Sequence, residues 1–165
     1  MTPYSIAGWE NFLIAEVGAS AALLGLVFVA ISINLARIIS LPFIPGRAAE
    51  TLFFLFSVLA VASCGLIPGQ PINWLGREFL LIAGLIWAFV TVRWLRAYGK
   101  RDKEPLHWLI PWFVIDQFAT LPFAVAGASI LAHRGGGLYW LAPGVIFAFG
   151  GGIFNAWVLL VEILR

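Results

Sequence analysis

The first long apolar stretch of the chain, residues 12–39, reads FLIAEVGASAALLGLVFVAISINLARII and decides the fold. A helix of this length rises roughly 40 Å at about 1.5 Å per residue, enough to cross a bilayer core of about 30 Å. Polar side chains interrupt the stretch at Glu16, Ser20 and Asn34. The stretch therefore predicts a membrane-spanning helix that carries polar groups.

The composition of the whole chain agrees with a membrane protein. Of the 165 residues, 62% are hydrophobic and 11% are charged, whereas a soluble domain carries about a quarter charged residues. The basic residues concentrate at the ends of apolar segments, so the net charge of +2 gives no reason to expect a nucleic-acid partner. A single cysteine, Cys64, and no histidine or cysteine cluster with metal-ligand spacing predict a protein without metal or cofactor.

Five stretches are long enough to span a bilayer, and they predict an all-α bundle in one domain. They are residues 12–39, 49–67, 79–98, 107–131 and 138–164. We expect Pro42, Pro45 and Gly46 to exclude helix between the first two spans. Pro143 suits the first turn of the fifth span, whose regular helix is expected to begin near Ala142.

The distribution of lysine and arginine predicts the orientation of the bundle. Eight basic residues fall on the side of the KRDKE loop at residues 100–104, and only Arg77 and Arg134 fall on the other side. Since basic residues favour the cytoplasmic side, we expect the N-terminus outside and the C-terminus inside.

The first helix has two different faces. Glu16 and Asn34 are 18 positions apart, about five full turns at roughly 100° per residue, and so share a face. Between them on that face lie Ser20, Leu23 and Val27. The opposite face carries the small residues Gly18, Ala22 and Gly25, which favour close helix packing. One hypothesis is a polar pathway gated by Leu23 and Val27; the alternative is that Glu16 hydrogen-bonds a neighbour near the outer interface.

Asp116 is the strongest candidate for a functional residue, because it lies about nine residues inside the fourth span. A lone charge there costs at least about 2.5–3.5 kcal/mol on insertion scales. Thr120 lies on the same face, and Pro122 removes a hydrogen bond of the helix ladder. The two interpretations are an ion or proton site lined by polar groups and a structural aspartate paired with Arg93.

The fifth span contains three consecutive glycines, Gly150, Gly151 and Gly152, followed by Asn155. Each glycine weakens a helix by about 1 kcal/mol relative to alanine, so a compensating interaction is expected. We predict helix packing at these residues, with local unwinding as the alternative.

Residues 16–38, EVGASAALLGLVFVAISINLARI, resemble the first helix of a family of small bacterial multi-pass membrane proteins of uncharacterised function. The resemblance implies a location in the bacterial cytoplasmic (inner) membrane and brings no activity, ligand or site residue.

Two classes of function remain, and neither is an enzyme, since no catalytic motif is present. The first is a homo-oligomeric ion or proton channel or small transporter. Asp116 is its titratable group, Glu16 its outer carboxylate, and Ser20, Asn34 and Thr120 its polar lining. The second is an accessory or regulatory subunit that docks onto a larger membrane complex through the strip Gly150, Gly151 and Gly152.

Overall fold

The computed structural model describes residues 3–41, 44–99 and 106–164, without the side chains of residues 97–99, 106–112 and 162–164. In these ranges the chain is helical and has no strand. The helices are α1 (Glu10–Ile33), α2 (Leu35–Ser40), α3 (Ile44–Gly65), α4 (Ile72–Gly99), α5 (Leu106–Ala132) and α6 (Leu141–Leu164), with a 3-10 turn at Gly137–Trp140. Five helices are long and apolar enough to cross a membrane, which confirms the predicted all-α bundle with five spans.

Helix α3 lies at the centre of the bundle. It packs against α1, α4 and α6, and α5 packs against α4 and α6 on the other side. Consecutive long helices are joined by short connections and run antiparallel, so the starts of some helices meet the ends of others at each end of the bundle. We call them the Tyr4 end, where α1 and α4 begin, and the Arg47 end, where α3 and α5 begin.

The core of the bundle is apolar, and so is much of its outer surface. Phe54, Phe79 and Phe123 are fully buried and come from three different helices. Leu26 and Leu85 are large apolar side chains on the outside, and both are exposed. An apolar exterior suits lipid, because hydrocarbon chains solvate such side chains as well as a protein interior does.

The first span is shorter than predicted. Helix α1 ends at Ile33, and the expected continuation to residue 39 is the separate short helix α2. Asn34 lies at the break with φ −103° and ψ 13°, and its side-chain amide donates to the carbonyl of Ala30 at 2.9 Å. Asparagine side chains compete in this way for backbone groups, which favours a helix end.

Two helices begin earlier than the sequence indicated. Helix α3 begins at Ile44, so Pro45 and Gly46 lie in its first turn and do not exclude helix. Proline is compatible with a first turn, because the N–H that it lacks has no partner there anyway. Helix α4 begins at Ile72 rather than residue 79, which brings Glu78 into a helix.

The N-terminal segment closes the Tyr4 end of the bundle. The Leu138 N–H donates to the carbonyl of Pro3 at 2.8 Å, and the Gly136 N–H donates to the Tyr4 hydroxyl at 3.3 Å. Gly137 has φ +51°, and a side chain at this position would collide with the Pro3 carbonyl. The glycine run at 135–137 therefore lets the N-terminal segment approach the α5–α6 connection.

Candidate functional site

Charged side chains from three helices meet inside the Arg47 half of the bundle. Arg47 and Glu50 come from α3, Arg93 from α4 and Asp116 from α5. Glu50 is 3% exposed and Asp116 is 2% exposed. Arg93 forms an ion pair with Glu50. We call these four residues the charge cluster; with both carboxylates ionised its formal charge is zero.

Asp116 is held by a tryptophan. The indole Nε1 of Trp94 donates to Oδ2 of Asp116 at 2.7 Å. The Trp94 ring also packs edge-on against Phe113, with centroids 5.7 Å apart, one turn before Asp116 on α5. A donor fixed by packing in this way orients the carboxylate and partly replaces the water that it loses on burial.

Helix α6 joins the charge cluster through Asn155. The Arg47 guanidinium donates to Oδ1 of Asn155 at 3.3 Å, and Asn155 is 2% exposed. Arg47 and Arg93 attract both carboxylates, while Glu50 and Asp116 repel each other. The charge cluster therefore couples the four helices α3 to α6 electrostatically.

The first turn of α3 leaves space for the Arg93 guanidinium. A Cβ placed on Gly46 would collide with that guanidinium, and it would lie 3.4 Å from Cδ of Arg93. Because Gly46 has no side chain, Arg93 can lie against the backbone of α3 and reach Glu50 one turn further on. Nε of Arg93 is buried and has no hydrogen-bond partner.

The structure changes the predicted partner of Asp116. Arg93 was expected to pair with Asp116; it forms its ion pair with Glu50 instead and attracts Asp116 without direct contact. The reason is the rotation of α4. Arg93 is level with Glu50, since each lies six residues from the end of its helix at the Arg47 end, and Arg93 faces α3. The next residue, Trp94, faces α5 and contacts Asp116.

Sequence reasoning missed Glu50 and Trp94 altogether. The sequence does contain a signal for Glu50. Glu50 lies at the start of the second predicted span and Arg93 near the end of the third, so both lie near the same side of the bilayer. No signal of that kind pointed to Trp94. Thr120, a predicted lining residue, is buried, and its hydroxyl donates to the Asp116 carbonyl at 3.0 Å.

The polar face of α1 is turned towards the bundle. Ser20 is fully buried, and its hydroxyl donates to the Glu16 carbonyl at 2.5 Å. Glu16, Leu23, Val27 and Asn34 are half-buried. This face packs on α3, whereas Asp116 faces α4. The polar residues of α1 and Asp116 therefore do not form one site. A gate at Leu23 and Val27 stays a prediction.

The small-residue face of α1 points outward. Gly18, Ala22 and Gly25 are all exposed, and a Cβ added at Gly18 or Gly25 would meet nothing within 4 Å. The packing expected for these residues therefore does not occur within the described part of the chain. We call Gly18, Ala22 and Gly25 the α1 strip.

Two of the three glycines of α6 do pack within the chain. Gly151 lies against Phe54 of α3 and Ile115 of α5, and Gly152 lies against Leu55 of α3. Gly150 is exposed and has open space around it. The helix continues through all three glycines, so the alternative of local unwinding does not occur.

Two further carboxylates lie in the Tyr4 half of the bundle. Glu16 is on α1 and Glu78 is on α4, and each has one buried oxygen without a hydrogen-bond partner. Glu78 also lies close enough to the Cys64 thiol to interact with it electrostatically. The five spans therefore contain titratable groups near both ends.

Neither the described residues nor the comparisons with known proteins identify a metal centre or a family. Among the described residues no group of three or more His, Cys, Asp or Glu side chains could hold a metal ion. No protein-family model, curated protein or solved structure matches the chain. The charge cluster is therefore the feature of the described residues that points to a function.

Proposed function

We propose that the protein is a small membrane transporter or channel that carries protons or ions, with the charge cluster as its binding site. The observation that carries the proposal is the burial of Glu50 and Asp116 together inside the spans. Charged groups within membrane spans are expensive, and they commonly mark ion or proton pathways.

A purely structural explanation of the charge cluster is weaker. Replacing a buried ion pair by apolar side chains of similar volume is often neutral or stabilising. Stability alone therefore gives little reason for two carboxylates and two guanidiniums in this interior. Titratable groups that exchange protons or ions give a direct reason.

The distribution of polar groups supports a gated pathway. The charge cluster lies in the Arg47 half, and Glu16 and Glu78 lie in the Tyr4 half. The core between them contains the buried side chains of Phe54, Ala83 and Phe123. An apolar layer between two polar regions is a barrier that a conformational change can open.

We further propose the orientation with the N-terminus outside and the Arg47 end on the cytoplasmic side of a bacterial inner membrane. Arg47, Arg93 and Arg96 support it, because they all lie towards the Arg47 end. The basic residues of the KRDKE loop, on which the orientation also rests, lie outside the described residues.

Proton flux into proteoliposomes tests the proposal. The wild-type protein is expected to collapse an imposed pH gradient, read from a trapped pH-sensitive dye, faster than empty vesicles do. Asp116→Asn and Glu50→Gln are expected to reduce the rate to that of empty vesicles, because each removes a titratable carboxylate. The exposed Glu10 is the matched control, and Glu10→Gln should behave as wild type.

The controls make the result decisive. Circular dichroism and gel filtration in detergent establish that each variant is folded. If folded wild-type protein gives no flux of protons or of common ions between pH 5 and 8, the transport proposal is wrong.

A second candidate is an accessory subunit of a larger membrane complex, and the α1 strip is the observation that favours it. Gly18 and Gly25 have open space where a neighbouring helix could approach closely. If the protein is a homo-oligomeric transporter, that helix belongs to a second copy; if it is an accessory subunit, the helix belongs to a different protein. Crosslinking in cells through Ala22→Cys distinguishes these functions, because the product has the mass of a dimer in the first case and a different mass in the second.

A further inference from the structure

Residues 3–7, which precede α1, lie across the Tyr4 end of the bundle, and we call them the strap. None of these five described residues is fully buried. Ile6 packs partly against the core, over the last turn of α3, where a Cβ placed on Gly65 would lie 3.5 Å from Cδ1 of Ile6. The strap is therefore a cover that rests on the bundle without being part of its interior.

Two hydrogen bonds and a ring contact hold the start of the strap. The Pro3 carbonyl accepts from the Leu138 N–H at 2.8 Å, and the Tyr4 hydroxyl accepts from the Gly136 N–H at 3.3 Å. The Tyr4 ring meets the His133 ring edge-on, with centroids 6.0 Å apart. Because the net contribution of a single hydrogen bond is small, few interactions separate the closed strap from an open one.

The α5–α6 connection, which receives the strap, is held in place by its own hydrogen bonds. The Gly137 N–H donates to Oγ of the buried Ser129 at 2.7 Å. The Trp140 indole donates to the Gly135 carbonyl at 2.7 Å. The three glycines at 135–137 have positive φ, a conformation that glycine adopts at no steric cost. The receiving surface is thus fixed without the strap, and the strap is the part that can leave.

A glycine hinge lies between the strap and α1. Gly8 has φ +88°, and glycine reaches many other backbone angles without steric cost. Rotation there breaks one turn hydrogen bond, from the Trp9 N–H to the Ile6 carbonyl at 2.9 Å. On the helix side of the hinge, the Trp9 ring packs edge-on against Tyr139 with centroids 5.3 Å apart. The strap can therefore swing away while Trp9 keeps the start of α1 in place.

Two carboxylates lie further inside the same end of the bundle. Glu16 is six residues from the start of α1 and Glu78 is six residues from the start of α4, a depth of roughly 9 Å at about 1.5 Å per residue. Each has a buried oxygen without a hydrogen-bond partner. Such an oxygen is costly unless water or another donor reaches it. Opening of this end would supply the missing donor.

We propose that the strap is a lid that closes the Tyr4 end over Glu16 and Glu78. Rotation about Gly8 releases Pro3 and Tyr4 from the α5–α6 connection, and it admits water, with the transported proton or ion, to the two carboxylates. The inference rests on the proposed function, because it supplies the entrance to the pathway at the end opposite the charge cluster.

The native thiol of Cys64 measures the opening, because it lies in the last turn of α3 and interacts with Glu78. Protein in phosphatidylcholine nanodiscs is treated with a charged, water-soluble maleimide, and the labelling rate is followed by mass spectrometry. In Gly137→Ala the added Cβ collides with the Pro3 carbonyl and displaces the strap. The rate should rise about threefold or more above that of wild type, because loss of one hydrogen bond changes an equilibrium by roughly that factor.

Gly69→Ala is the matched control for Gly137→Ala. Gly69 also has positive φ and lies at the same end of the bundle, but a Cβ there meets nothing within 4 Å. The control thus carries the backbone strain without touching the strap, and it should label as wild type. If Gly137→Ala does not fold, Tyr4→Ala removes the hydroxyl and the ring that hold the strap. Its control is Ser5→Ala, whose side chain bonds within the strap.

A covalent lock tests the lid during transport. In a Cys64→Ser background, Tyr4→Cys and His133→Cys are joined by a short, reducible bis-methanethiosulfonate crosslinker. Proton flux into proteoliposomes should fall to the rate of empty vesicles and return when the crosslink is reduced. The same reagent on Tyr4→Cys alone is the control and should leave the flux unchanged.

The outcomes separate this inference from the transport proposal. Equal labelling of Gly137→Ala and Gly69→Ala, or unchanged flux in the crosslinked protein, overturns the lid even if the wild-type protein carries protons. Faster labelling of the displaced variant together with loss of flux in the lock supports the lid. Faster labelling in a protein that gives no flux at all supports the opening of the strap and overturns the transport proposal.

Discussion

Arg93 and Trp94 are consecutive residues of α4, yet they contact different helices. Successive helical positions differ by about 100°, so Arg93 faces Glu50 on α3 while Trp94 faces Asp116 on α5. Both side chains lean towards the start of α4, as side chains of helices do, and thus towards the membrane interior. Two adjacent residues in this way satisfy the two buried carboxylates of the candidate site.

Removal of the Trp94 indole donor is expected to destabilise the protein. Hydrogen bonds to charged groups contribute about 1.5–3 kcal/mol, and those between neutral groups about 0.5–1.5 kcal/mol. Trp94→Phe should therefore lower the free energy of unfolding in detergent more than Trp87→Phe does. The matched Trp87 lies two turns earlier on α4 and donates to the neutral Gln117 at 2.8 Å. If both variants lower the free energy of unfolding equally, the hydrogen bond to Asp116 contributes no more stability than the bond to the neutral Gln117.

At the scale of helices, α4 and α5 approach each other closely at two glycines. A Cβ on Gly127 would lie 2.6 Å from the carbonyl oxygen of Gly76 and 3.0 Å from the backbone nitrogen of Leu80. Backbone atoms cannot move aside as a side-chain tip can. The packing of α4 on α5, which aligns Trp94 with Asp116, therefore depends on glycine at this crossing.

Substitution of Gly127 by alanine is expected to separate α4 from α5. The strain should lower the free energy of unfolding by about 1–3 kcal/mol, as overpacking does elsewhere. Gly84→Ala is the matched control on α4, because a Cβ there meets nothing within 4 Å; it should be neutral or stabilising by up to about 1 kcal/mol. Denaturant titration in detergent compares the two. A neutral Gly127→Ala would show that the helices can shift without loss.

At the scale of the whole molecule, α1 is the least enclosed spanning helix. One side of it packs on α3, and the other side, with the α1 strip, is exposed. Exposed leucine or isoleucine is ordinary at a lipid surface, but a row of exposed small residues on one helix favours contact with another helix.

Disulfide crosslinking is expected to detect self-association through the α1 strip. In a Cys64→Ser background, Ala22→Cys should form a covalent dimer when membranes are oxidised, because a second copy brings the same residue close. Leu81→Cys, on an exposed part of α4, is the control and should remain monomeric. If both variants crosslink to the same extent, random collision explains the product and the α1 strip is not an interface.

The sequence alone determined the number of spans and the two faces of the first helix. Both depend on local properties, namely the apolar length of a segment and the angle between residues of one helix. The sequence predicts five spans, and the described residues contain five helices long and apolar enough to cross a membrane. The face from Glu16 to Asn34 is more buried than the α1 strip. The helix limits were less accurate, because Pro45 was read as a barrier and serves as part of a first turn.

Only the tertiary structure decided which face of α1 is buried and which cation pairs with which carboxylate. Glu50 and Arg93 are 43 positions apart, and Trp94 and Asp116 are 22 positions apart. Their contacts depend on the relative depth and rotation of α3, α4 and α5, which no single segment encodes. The sequence locates the site at Asp116, because a charged side chain inside a span is costly. The partners of Asp116 follow only from the packing of the helices.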